Sequence, residues 1–179
     1  MKNTLFVAIL LFTFISVYAQ KTLTPVDPGS KIHFVIKNFG INTGGDLTGM
    51  KGTIKFNPLK LSASSFDVTV DVNTIDTDNG SRDGHLKKEE YFNLEKYPLI
   101  LLASTKIEAT NKSQTYMFTG NITIKGTSKP THFLFTATPK DGGYLFAGSF
   151  VINRLDFKVG SNSATLADNV KVSISALSK

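Results

Sequence analysis

The chain has 179 residues with 20 Lys+Arg against 14 Asp+Glu, no cysteine and no tryptophan. One ordinary domain with a full hydrophobic core fits this length, and without cysteine neither a disulfide framework nor a thiolate metal site is open to it. The lysines are scattered rather than gathered in a basic run interleaved with aromatics, which argues against nucleic acid; the positive excess serves solubility or draws an anionic ligand or membrane surface.

In chain order, Lys2 precedes an almost unbroken apolar run from Leu5 to Val17, followed by small residues around Val17-Tyr18-Ala19. The run is short for a bilayer span and has no stop-transfer flank, so residues 1–19 read as a cleaved secretory signal rather than a retained anchor. The mature domain is then expected to begin at Gln20 and occupy 20–179, in the periplasm or secreted. With no cysteine after the cleavage site, lipid attachment there is excluded.

From Ile32 onward the pattern has period two. Ile32-Phe34-Ile36 comes first, then Ile54 and Phe56 set against Thr53, Lys55 and Asn57. Next, Phe66, Val68, Val70 and Val72 alternate with Asp67, Thr69, Asp71 and Asn73, the signature of a strand with one buried and one wet face. Ser81 to Phe92 is the one helical candidate, with Ser81 or Asp83 as cap and Leu86, Tyr91 or Phe92 docking it on the sheet. Leu99 to Ile107 starts as an apolar run and then alternates. Further strands follow around Tyr116-Phe118 with Ile122-Ile124, Phe133-Phe135, Tyr144-Phe146 with Phe150-Ile152, and Val170-Val172-Ile174.

Turn signals punctuate these runs at Asn57-Pro58, Thr77 to Gly80, Asn111 to Ser113, Asp141 to Gly143 and Gly160 to Asn162. Many strands so punctuated define an all-β sandwich or barrel. The expected inward set is Phe34, Phe56, Phe66, Val68, Val70, Phe118, Ile122, Phe133, Phe135, Phe146 and Phe150, with Asp67, Thr69 and Asp71 outside. Repeated large aromatics, with Gly120 and Gly148 breaking two strands, suit a curved sheet around a cavity; the same residues equally fill a solid core.

Arg82, Asp83 and His85 form the one compact group of ionisable side chains suited to acid–base or head-group chemistry. In one reading Arg82 and His85 meet an anionic or carbonyl head group while Asp83 orients one of them. In the other, Asp83 caps the helix, Arg82 pairs with it or with Asp156, and His85 packs at the rim. Without a partner nucleophile or metal cluster, no catalytic residue is assigned. Arg154 and Asp156 are expected to form a structural ion pair. His33 and His132 lack ligand spacing, so neither a metal nor a cofactor is expected. Gly44-Gly45 and the Gly126 to Lys129 stretch do not fit a phosphate loop. Sequons at Asn79, Asn111 and Asn121 matter only in a glycosylating host.

The stretch Asn73 to Pro98 carries Ile75-Asp76-Thr77, Arg82-Asp83-Gly84-His85-Leu86, Phe92 and Tyr97-Pro98. This closely resembles the signature of the YceI-like family. The likeness continues through Ser104-Thr105, Ile122 to Gly126 with Lys129-Pro130, and Ile152 to Phe157, in the family's order over nearly all of Thr24 to Ser178. The resemblance implies an elongated, antiparallel, lipocalin-like β-barrel with one short helix, usually exported. Its lumen would hold a polyisoprenoid or similar long-chain lipid, such as a polyprenyl phosphate or isoprenoid quinone. Two departures bear on the mouth: Asn38 stands where many members carry histidine, and Lys158 where many carry glycine.

A nine- or ten-residue strand is roughly 30 Å long. An isoprenoid laid along it gains about 0.8 kcal/mol per buried methylene, so several five-carbon units exceed even an association cost of ~15 kcal/mol. The expected function is transport or storage of such a lipid, with transient membrane contact possible and the protein a monomer or homodimer. The alternatives are an enzyme using Arg82, Asp83 and His85, and a ligand-free stress or interaction module.

Overall fold

Alternation of apolar and polar residues produces the strands, and closure of the resulting sheet produces the architecture. The computed structural model describes residues 22–179; the expected signal segment, 1–19, and Gln20 lie outside the described residues. The strands are β1 (Thr22–Leu23), β2 (Lys31–Asn38), β3 (Ile41–Leu47), β4 (Lys51–Lys55) and β5 (Ser65–Asp71), then β6 (Leu99–Ala109), β7 (Thr115–Ile124), β8 (Thr127–Lys140), β9 (Gly143–Asn153) and β10 (Leu166–Ser178). They form one ten-stranded sheet in the order β1-β4-β5-β6-β7-β8-β9-β10-β2-β3, antiparallel throughout. This is the expected all-β, barrel-like class.

The sheet curls until its edges find partners. Residues 22–23 pair with β4, and the chain then crosses to the end of β10, where Thr24 and Val26 N–H donate to the carbonyls of Lys179 (2.9 Å) and Leu177 (2.8 Å). On the opposite edge, Asp46 of β3 exchanges both backbone bonds with Asp76, at 2.8 and 3.0 Å. Those bonds require the chain to pass directly over Gly45, where an added Cβ would lie 2.6 Å from the Asp76 carbonyl oxygen. The Gly44-Gly45 pair thus serves close backbone approach. Its strand, β3, has too few apolar residues to announce itself by alternation.

Curvature has a visible cause on β6 and β7. Their register shifts between Ser104 and Lys106, and Gly120 faces Ser104 so tightly that a Cβ there would stand 2.2 Å from the Ala103 carbonyl oxygen. An extra residue opposite a glycine bends the sheet inward.

The helix is shorter than expected. α1 spans Gly80–Leu86 and is capped by Asn79, whose side chain accepts from Arg82 N–H at 3.0 Å; neither Ser81 nor Asp83 is the cap. Residues 87–97 continue as turns, yet Leu86, Tyr91 and Phe92 still pack toward the sheet interior. β5 ends at Asp71, and Val72 enters a 3₁₀ turn while staying buried. Asp67 is exposed as expected, whereas Thr69 and Asp71 are half-buried: the turn after β5 folds back on Asp71, which accepts from Asn73 N–H and Thr74 Oγ1, and Thr69, expected outside, is among the residues that border the interior cavity.

On the outer surface, Asp46 ties β2 to β3. It accepts from Lys31 Nζ and His33 Nδ1, each at 2.7 Å. Partial burial raises the Asp46 carboxyl, but the hydrogen bonds and charges of Lys31 and His33 outweigh it and hold the group below its ordinary value. A depressed folded-state pKa contributes stability above the unfolded value and loses it as pH falls through the folded one. Asp46→Asn should therefore flatten the acid limb of the stability curve, read as urea midpoints between neutral pH and the acidic carboxylate range. An unchanged acid limb would count against this cluster as the seam's electrostatic tie.

Candidate functional site

The interior divides into a solid end and a hollow one. At the end where β4, β6, β8 and β10 finish, Phe56 sits edge-on to Tyr116 (5.2 Å), Tyr144 (5.1 Å) and Phe146 (5.3 Å), with Phe66 and Phe135 beyond. Edge-to-face rings at these spacings fill space without gaps. Above this plug a cavity of about 370 Å³ runs up the barrel, within the range of ligand cavities.

Ten of the eleven expected inward residues line it: Phe34, Phe66, Val68, Val70, Phe118, Ile122, Phe133, Phe135, Phe146 and Phe150. Phe56 does not; it is buried in the plug, because β4 ends there and leaves no lumen for its ring to face. Across β7, β8 and β9, Phe118, Phe133 and Phe150 stack at 4.8 and 4.6 Å with ring planes 17° and 20° apart, a continuous aromatic wall. Next to it in the sheet, Ile32, Ile36, Val170, Val172 and Ile174 of β2 and β10 continue the lining. These last five belong to the same alternation in the sequence; what marks them as lining is the pairing of the first long strand with the last.

Polar groups gather at the mouth. Thr77, only 4% exposed, is the hub: its hydroxyl donates to Asp83 Oδ1 and accepts from Arg82 Nε at 2.8 Å, while its carbonyl accepts from Arg82 Nη2. Asp83 also accepts from Thr77 N–H at 3.0 Å. Arg82 and His85 line the cavity and Asp83 does not. The expected direct relations, Asp83 orienting Arg82 or His85, or Arg82 pairing with Asp83 or Asp156, are replaced by a threonine that links the two. His85 instead rests against Tyr91, ring centroids 4.9 Å apart. The sequence carries no signal for Thr77 as a site residue, because it sits in a turn whose composition needs no function to explain it.

Arg154 is also buried at the mouth. Its guanidinium donates to the carbonyls of Ala167, Val159, Ser161 and Leu166 and to Asp168 Oδ1, the last at 3.0 Å. The expected partner, Asp156, is exposed. The 3₁₀ turn over Arg154–Phe157 aims Arg154 inward beneath the 159–168 loop, so this side chain is spent on building the rim. Of the two departures at the mouth, Asn38 lines the cavity, whereas Lys158 does not. Lys158 takes the left-handed conformation (φ 58°) natural to glycine and presents its carbonyl to Lys125 Nζ at 2.8 Å. No cluster of three or more metal-ligating side chains occurs among the described residues.

An antiparallel sheet curled into a barrel, with an apolar lumen plugged at one end and polar groups at the other, defines a lipocalin-like barrel. The YceI-like domain matches residues 25–177, and the chain belongs to that family. A UPF0312 protein of Pectobacterium atrosepticum is 34% identical over 100 residues, 55% of this chain and 51% of that protein, so this chain spans about half the length of that relative. One from Pseudomonas paraeruginosa is 29% identical over 151 residues, covering 80% and 78% of the two chains. Among solved structures, Burkholderia cenocepacia BcnA superposes with a TM-score of 0.77 at 25% identity, covering 82% of this chain and 94% of its own. A polyisoprenoid binding domain from Saccharophagus degradans gives 0.71 at 11% identity over 90% and 99%, a likeness of fold alone.

The hub is open to a direct test. Thr77→Val keeps the volume but strips the shared hydroxyl, leaving Asp83 and Arg82 each short of a partner. A loss of about 1–3 kcal/mol in urea unfolding is expected, and a variant as stable as the parent would show the hydroxyl to be incidental.

Proposed function

We propose that this protein is an exported carrier that holds one long-chain isoprenoid-type lipid in its barrel, tail inward and head group at the Arg82–His85 mouth. The observation that carries the reading is the cavity itself: an apolar lumen walled by aromatic and branched side chains, plugged at one end by the Phe56 cluster. A solid barrel would have no such space, and an apolar void lined this way is filled by apolar matter rather than by water. Each methylene of a tail contributes about 0.8 kcal/mol. The lumen therefore supplies affinity, and the mouth chooses among head groups.

The similar barrel described as a polyisoprenoid binding domain supports this class of ligand. Export rests on the apolar run Leu5 to Val17 with its small-residue site. At the mouth, Nε and Nη2 of Arg82 are held by Thr77, which fixes the guanidinium and offers its remaining edge to a phosphate or a quinone carbonyl. Asp83 is engaged by Thr77 and stands off the lumen, so the three ionisable groups are arranged to hold and orient rather than to relay a proton.

Organic extraction of protein from its native host, followed by mass spectrometry, should yield a long-chain lipid in near-stoichiometric amount. Phe133→Glu should abolish that yield, since an unpaired carboxylate in the lumen costs several kcal/mol; a thermal melt run in parallel separates eviction from unfolding. His85→Ala should reduce retention by less than about tenfold, because a rim contact contributes about one hydrogen bond. An empty extract from folded parent protein would overturn the proposal. Loss of a chemical conversion of the lipid in the His85 variant, with retention intact, would replace the carrier by an enzyme.

A further inference from the structure

The β2–β3 hairpin ends in a feature that neither the fold nor the lumen uses. Its two-residue loop, Phe39-Gly40, joins Asn38 to Ile41, and both loop residues have positive φ, 50° and 77°. Such a turn is the province of asparagine, aspartate and glycine; a bulky aromatic rarely takes this conformation. Phe39 takes it and gains no burial in return: its side chain is 75% exposed, and Ile41 beside it is 70% exposed. An unfavoured backbone conformation held for an unburied ring points outward, to something the ring meets in solution.

Its location says what that is. Asn38 pairs across the sheet with Leu166, both line the cavity, and Phe39 N–H donates to the Thr165 carbonyl at 2.8 Å. The apolar tip is therefore continuous with the lip of the mouth. The two stretches that form this part of the lip carry no acidic residue between Lys37 and Asp46 or between Lys158 and Asp168, and each is entered from a lysine. Arg82 and His85 line the same cavity. Two unburied apolar side chains on a lip with lysines, where the nearby carboxylates of Asp83 and Asp168 are already engaged by Thr77 and Arg154, match an anionic bilayer surface, whose acyl region accepts the rings and whose phosphates accept the lysines.

We infer that Phe39 and Ile41 are a membrane-insertion tip that docks the mouth of the barrel on an anionic bilayer, so that lipid passes between bilayer and lumen without crossing water. The inference rests on the carrier reading, and its test is separable from it. Full-length mature protein is sedimented with vesicles of phosphatidylethanolamine and phosphatidylglycerol, and lumenal lipid is assayed independently by extraction. The parent should partition onto these vesicles. The double variant Phe39→Asp/Ile41→Asp should lose at least about tenfold of that partitioning while keeping its melting temperature and its lumenal lipid, since each buried apolar side chain contributes more than a tenfold factor. Leu59→Asp is the control: Leu59 is 96% exposed but lies on the turn after β4, at the plugged end, and its loss should change nothing.

The chain lacks tryptophan, so Phe39→Trp supplies a single reporter whose emission should shift to the blue on vesicle addition and be quenched by brominated acyl chains. Parent protein that retains lipid yet ignores the vesicles would overturn the inference and leave the carrier reading standing. So would vesicle binding that survives the double variant or falls equally with Leu59→Asp. Self-association through the tip, with no emission shift, would assign the surface to a second copy instead. An empty lumen in protein that still docks would instead sink the carrier reading.

Discussion

Edge closure is the constraint on which this structure depends. An open sheet whose inner face is phenylalanine, valine and isoleucine would expose both its apolar face and its unpaired edges, a template for aggregation. Here residues 22–26 bridge from β4 to the end of β10, and the Asp46–Asp76 bonds secure the other edge. Only after these joins is the inner face an interior. The glycines at 44 and 45 are part of that constraint, since any side chain at Gly45 would push the 76–77 segment off β3.

Closure alone does not leave a cavity; the size and placement of the rings do. Where Phe56 at the end of β4, Tyr116 of β7 and Tyr144 and Phe146 of β9 converge, the cross-section is full. Further up, Phe118, Phe133 and Phe150 stack face to face across β7, β8 and β9, while the neighbouring strands β10 and β2 line the lumen with aliphatic residues. The same residue type blocks one end and panels the other because of ring orientation, set in turn by neighbouring strands.

The mouth follows a different economy, in which buried polar groups are satisfied by backbone. Arg154 draws the 159–168 loop together through four carbonyls and one carboxylate, and Thr77 joins Arg82 to Asp83. A buried guanidinium is tolerable only when its donors are matched in this way. The consequence is a rim of fixed shape in which Arg82, His85 and the fully engaged Arg154 line the lumen. The Phe39–Ile41 tip is tied to the loop that Arg154 draws together, through the Phe39 N–H to Thr165 carbonyl bond.

What the sequence by itself determined is what depends on local period. Alternation at Phe66-Val68-Val70 or Phe133-Phe135 tells which face of a strand is greasy, because successive side chains point to opposite faces in any sheet. The ordered motifs from Ile75 to Phe157 went further and indicated the family and its barrel. Tertiary structure alone decided what depends on contacts distant in the chain. Whether the phenylalanines filled a core or framed a tube was undetermined by pattern, and Phe56 was indistinguishable from Phe66 until β4 proved to end at the plug. Arg154 found Asp168 rather than its near neighbour Asp156, and Asn79 displaced Ser81 and Asp83 as the cap, because turn geometry selects partners by direction and not by spacing. Period fixes the side of the sheet a residue faces; only closure fixes what stands opposite it.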